Sequence, residues 1–238
     1  FFPKDSTLLI SREADNRIFE YGMNGKLTGR ELAIPSVFST ATPAYSFEAL
    51  TYNAQTHRFW TTSESTLKTD GQQANATNQV KNRLRFQSFD DSFAPQEQYA
   101  YLMDAVENNP SASNYAMGVP AMTALDDGKL LVLEREFLVT SSKIGSFVEN
   151  KIYCVDPAQS ISISQEKELD TDSPYMQKTL IAAWKTSLGL LRQNLANYEG
   201  MCLGPRLADR SQVIVLCADS QDQYGGVLRD WFRTIIIR

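Results

Sequence analysis

Phe47-Glu48-Ala49-Leu50-Thr51-Tyr52, a polar turn through Gln55, Thr56 and His57, and then Arg58-Phe59-Trp60-Thr61-Thr62-Ser63-Glu64 form the stretch that decides the fold. Two short runs rich in aromatic and β-branched residues flank a turn, the pattern of a β-hairpin. The same plan returns. Pro120-Ala121-Met122-Thr123-Ala124-Leu125 leads through Asp126-Asp127-Gly128 into Lys129-Leu130-Leu131-Val132-Leu133 and ends on Glu134. Tyr198-Glu199-Gly200-Met201-Cys202-Leu203 leads through Asp209 and Arg210 into Val213-Ile214-Val215-Leu216-Cys217-Ala218 and ends on Asp219. A half copy, Thr7-Leu8-Leu9-Ile10-Ser11-Arg12, opens the chain and ends on Glu13. A hairpin repeat closed by an acid suits propeller blades, which recur at about 40–50 residues without insertions. The expected fold is therefore an all-β β-propeller in one domain spanning residues 1–238.

Further short strand signals lie between these units, and the alternation of strands and helices that builds a parallel sheet is missing. One segment reads differently. Trp184, Leu188, Leu191 and Leu195 recur at helical spacing, so a peripheral helix is expected near 184–196.

The hairpin plan has a chemical consequence. In an antiparallel pair, the residue entering the first strand lies beside the residue leaving the second. Glu48 is thus expected near Glu64, and Glu199 near Asp219, with Glu13 and Glu134 at the equivalent edge. Ionised carboxylates gathered this way need a counter-charge, either a hard cation such as calcium or neighbouring Arg and Lys. Acids at strand ends also serve as ordinary solvated or ion-paired residues, and one alone is better read that way. His57 falls in a turn, hence at the opposite edge.

Composition narrows the chemistry. The chain has 238 residues, 42% of them hydrophobic, enough for a substantial core. Its formal charge of −5 argues against a nucleic-acid partner. No apolar run approaches the roughly eighteen residues of a membrane span. A single histidine removes the multi-histidine metal centres, and no GxSxG, GxGxxG or P-loop motif occurs. Cys154, Cys202 and Cys217 are too few and too scattered for a disulfide framework, and each sits in an apolar run that reads as buried.

Several segments together resemble a known family. They are Phe47-Glu48-Ala49-Leu50, Ser63-Glu64-Ser65-Thr66-Leu67, Arg83-Leu84-Arg85-Phe86, Leu130-Leu131-Val132-Leu133-Glu134-Arg135, Lys178 and Asn197-Tyr198-Glu199-Gly200. The chain resembles, over nearly all its length, the phytase-like β-propeller family, described by its esterase-like activity. The resemblance implies a propeller that is six-bladed when complete, with about four blades in these residues and an N-terminal part missing. It implies export to the periplasm, the cell surface or the medium, and a calcium-dependent phosphoric-ester hydrolase acting on a small phosphate ester or other ester.

On that reading Glu64, Glu199 and Glu134 are the catalytic candidates. Glu13, Glu48, Glu64, Glu199 and Asp219 are the calcium ligands, and Arg12, Arg85, Arg135 and Lys178 hold the anionic oxygens of the substrate. Two other readings stand beside it. One is a non-catalytic extracytoplasmic propeller whose acids and bases form structural ion pairs between blades. The other is a sugar-processing hydrolase with paired carboxylates and no metal.

Overall fold

A computed structural model describes residues 1–106, 109–191, 193–224 and 226–238. The chain is all-β, and its strands gather into four antiparallel sheets that follow one another along the sequence, none of them closed on itself. The first sheet holds β1 (Thr7–Arg12), β2 (Arg17–Gly22) and β3 (Leu27–Glu31). The second holds β4 (Phe47–Asn53), β5 (Arg58–Ser63), β6 (Arg83–Phe89) and β7 (Pro95–Leu102). The third holds β8 (Ala112–Ala124), β9 (Leu130–Thr140) and β10 (Phe147–Val155). A two-residue β11 (Ser162–Ile163) then crosses back to the outer edge of the second sheet, and β12 (Lys178–Ser187) returns to complete the third. The last sheet holds β13 (Tyr198–Arg206), β14 (Gln212–Ala218) and β15 (Phe232–Ile237).

Each sheet starts with the strand that meets its neighbour: β1 packs on β4, β4 on β8, and β8 on β13. Strand alternation then gives each inner sheet two apolar faces. Ile18, Phe38, Phe47, Phe59 and Phe89 fill the space between the first and second sheets. Trp60, Leu84, Phe86, Val119 and Val132 fill the next, and Leu131, Leu133, Ile152, Tyr198 and Leu216 the last. Strand β9 lies between two such layers, which is why its residues from Leu130 to Val139 are all buried.

Trp60 is 6% exposed and packs with Tyr99, whereas Tyr52, across the same hairpin, faces the preceding layer beside Phe2 and Phe59. Trp60→Ala is expected to lower stability by about 3–5 kcal/mol, read as a shift of the urea midpoint at unchanged slope. An unchanged midpoint would contradict the burial.

The segment 184–196 corrects the sequence reading. Trp184 lies in β12, paired with Asn150 of β10, and the described residues between 188 and 196 form no helix; position 192 lies outside the described residues. The apolar stripe does not hold together either, since Leu191 is 99% exposed and Leu195 fully buried. The open edge of β10 supplies a full ladder of backbone partners, and that tertiary pairing outweighs a local helical pattern. Cys202 and Cys217 are exposed rather than buried, and Cys154 is half-buried. No helix among the described residues is long and apolar enough to cross a membrane.

Candidate functional site

The Glu48–Glu64 pair forms as the hairpin geometry requires. Phe47 pairs with Ser63, and the Glu64 amide donates to the Ser46 carbonyl at 2.7 Å, so both acids leave the same end of the second sheet. Ser46 is fully buried and bonded to Asn16, which draws the turn carrying Glu13 onto the same end. On the last sheet Tyr198 pairs with Ala218, placing Glu199 beside Asp219. Glu48, Glu64 and Glu199 each interact electrostatically with the Arg135 guanidinium, while Glu13 acts on Glu48 and Glu64 and Asp219 acts on Glu199.

Arg135 comes from the middle of β9 and is 4% exposed. Its Nη2 donates to Glu64 Oε1, and its Nη1 lies 3.9 Å from Glu199 Oε1. Asn197 donates to the same Glu199 oxygen at 2.5 Å. Glu64 reaches Arg135 across β8 because position 118 is glycine. A Cβ there would stand 2.4 Å from Glu64 Cγ and 2.7 Å from the Glu64 carbonyl oxygen, while the Val119 amide already donates to that carbonyl.

Burial dominates the protonation of these groups. It pushes the Glu48 carboxyl up, Glu64 adds to the push, and the result is about 9 despite the pull of Arg135. Burial raises Glu199 as well, to about 7, with Arg135 opposing and Asp219 and Glu64 adding. Glu64 is also raised by burial, against Arg135. At neutral pH Glu48 therefore holds its proton while Glu199 sits near its midpoint. The site opens to solvent through Glu13 and Asp219, both exposed.

The positive charge that Glu64 and Glu199 face is Arg135 itself, and Glu48 holds a proton. Among the described residues no group of three or more His, Cys, Asp or Glu side chains is placed to share one metal ion. As arranged, the donor set does not fit a calcium cage, which needs several ionised oxygens around a common point.

Glu134 does not join this group. It precedes Arg135 on a continuous strand, so its side chain projects from the opposite face of β9. There it accepts from Tyr101 Oη at 2.6 Å and from Lys178 Nζ at 2.6 Å. Lys178 also contacts Asp104 at 2.8 Å, and Asp104 accepts from Lys151 and Tyr153 at 2.6 Å each. Burial works against the Asp104 charge, but these donors hold its carboxyl well below the usual range. Burial, then Glu134, pushes the Tyr101 phenol far up. Glu134 and Lys178 thus form a partnered network between the second and third sheets.

Arg85 is structural by its contacts. It is 1% exposed, makes two 2.7 Å bonds to Asp70, and donates to the carbonyls of Ser164 and Lys167, pinning the segment that carries β11. Arg12 is exposed and paired with Asp15 at 2.8 Å. His57 sits at the other edge, as expected from its turn, bonded to Asp91 at 3.0 Å.

The sequence reading did not single out Asn150 or Gly118. The first is invisible without the β9–β10 register; the second is one glycine among twelve.

The model of a family named phytase-like, and described as esterase-like activity of phytase, matches residues 1–221. Neither the curated proteins nor the solved structures yield a match.

Proposed function

Because the chain belongs to the phytase-like family, described as esterase-like activity of phytase, we propose that it is an ester hydrolase working at the cluster around Arg135. The family supports a hydrolase-type activity, and one observation carries the assignment of roles. Two carboxyl groups under the influence of one buried guanidinium are pushed apart, Glu48 to about 9 and Glu199 to about 7. Environments that separate two acids in this way sort them into an acid and a base.

Glu199 is the general base that takes a proton from the attacking water, and Glu48 is the acid that returns one to the leaving oxygen. Arg135 orients the ester through its donors and stabilises charge developing on the reacting centre. Glu64 positions Arg135. The sheets are read as successive blades of a propeller, six-bladed when complete, which brings the acids to one end of its channel. Export from the cytoplasm belongs to the same proposal. A phosphoric-ester substrate is a separate part of it, and the roles above need no metal.

The test is hydrolysis of 4-nitrophenyl phosphate and 4-nitrophenyl acetate by the purified chain, with and without EDTA. Turnover that survives EDTA and is lost in Glu199→Gln supports the roles above. Turnover that calcium restores after chelation assigns the acids to a metal instead, and no turnover of either ester removes the hydrolase. A second reading, a binding module with structural ion pairs, is favoured by the buried Glu64–Arg135 contact, which ties the second sheet to the third.

The raised Glu48 makes a further prediction. Its folded value lies above the ordinary 4.5, so the stability it confers in acid is lost as pH rises through this window, by about 1.4 kcal/mol per unit, up to about 9. Melting temperature is therefore expected to fall from pH 5 to pH 8, and Glu48→Gln to flatten the fall and exceed the parent at pH 8. A parent whose melting temperature stays level across that range would show that Glu48 is ionised.

A further inference from the structure

Beside the acids lies a set of unpartnered polar groups, of which only Glu48 and Arg135 have a part in the hydrolytic roles. Among the described residues, the buried side-chain atoms with no hydrogen-bond partner are Glu48 Oε2, Arg135 Nε, both polar atoms of the Asn150 amide, Trp184 Nε1 and Asn197 Oδ1. They are not scattered. Arg135 of β9, Asn150 of β10 and Trp184 of β12 are direct cross-strand partners, so the three side chains form one row on one face of the third sheet. Trp184 meets Tyr198 of the last sheet edge to face at 5.6 Å, and Asn197 is joined to Arg135 through Glu199. Asn150 and Asn197 are both fully buried. A buried amide with no partner on either side costs free energy, so a native fold that keeps one has a partner for it.

The chemistry of the row narrows that partner. Arg135 Nε, Trp184 Nε1 and Asn150 Nδ2 donate, and Asn150 Oδ1 and Asn197 Oδ1 accept. A hydroxyl group both donates and accepts, and a run of hydroxyls satisfies this mixture. The phosphoryl group of a monoester dianion only accepts and hydrogen phosphate has a single O–H to donate, so neither can satisfy both amide oxygens. Either would also enter a site where Glu64 and Glu199 already share one guanidinium, with Glu13 and Asp219 acting on those two acids.

We propose that the Arg135–Asn150–Trp184–Asn197 row is a binding subsite for the hydroxyl groups of a neutral polyol or sugar, the part of the ester that lies against the acid pair. The link to an ester rests on the hydrolase reading; the binding does not.

Calorimetric titration of the whole chain with methyl α-glucopyranoside, and separately with inorganic phosphate, tests it. Saturable heat is expected from the sugar, and phosphate is not expected to displace it. Asn150→Leu is expected to weaken the sugar by about tenfold or more while holding or raising the melting temperature, because an apolar group of similar size replaces an unpaired amide. Trp184→Phe, which keeps an aromatic ring but removes the N–H together with the five-membered ring, is expected to weaken it by about fivefold to tenfold. Sugar binding that persists in Glu199→Gln while hydrolysis is lost keeps the subsite and the reaction separable. Phosphate binding that excludes the sugar overturns the proposal. No sugar binding in the parent, with a lower melting temperature in Asn150→Leu, overturns it in favour of structural water in the row.

Discussion

Glu199→Gln is expected to cut kcat for ester hydrolysis by about a hundred- to ten-thousand-fold, the usual contribution of a general base, with little change in melting temperature. The amide keeps the size of the side chain and can still accept from Asn197, but it cannot take a proton. The parent should show a bell-shaped pH dependence. Activity rises as Glu199 ionises near 7 and falls as Glu48 releases its proton near 9, giving an optimum close to 8. Glu48→Gln should erase the alkaline limb along with most of the rate. A parent profile that stays flat from pH 6 to 10, or a Glu199→Gln enzyme of full activity, would move the chemistry elsewhere in the fold.

Gly118→Ala is expected to cost about 3 kcal/mol or more, far above the usual effect of adding one methyl group, and to impair activity with it. The new Cβ would stand 2.7 Å from the Glu64 carbonyl oxygen, which is backbone, and 2.4 Å from Glu64 Cγ. Relief requires β8 to move away from the end of the second sheet, or Glu64 to leave Arg135. Chemical denaturation reads the first cost, and kcat at pH 8 reads the second. Gly25 serves as the control: it has positive φ but open space around its Cβ position, and an alanine there carries only local backbone strain. Equal stability losses at the two positions would show that the Glu64 contact is not what makes Gly118 special.

The strands of the repeated hairpins were legible because burial on a sheet face demands period-two apolar residues, and the turns at Gln55–His57 and Asp126–Gly128 demand polar ones. Strand β3 was not legible, since all five of its residues are exposed and carry no burial pattern. The 184–196 segment misled for the opposite reason. Its leucines fall at helical spacing, but the unpaired edge of β10, which the local pattern does not record, recruits the chain as β12.

The candidate site divides in the same way. Antiparallel pairing is local, so the meeting of Glu48 with Glu64 and of Glu199 with Asp219 followed from sequence alone. Glu134 was placed with them because Leu133 was read as the end of its strand. In the fold β9 runs on to Thr140, and alternation sends Glu134 to one face and Arg135 to the other. The identity of the counter-charge, the separation of Glu48 from Glu199 by burial, and the row from Arg135 to Trp184 depend on how sheets pack and where strands align. Those are contacts between residues distant along the chain. Which residues form hairpins and which acids share an edge can be read along the chain, because both are set within a few tens of residues. Tertiary structure alone decided which acids keep their protons and which bases face them, because desolvation and cross-sheet contacts exist only once the sheets have closed on one another.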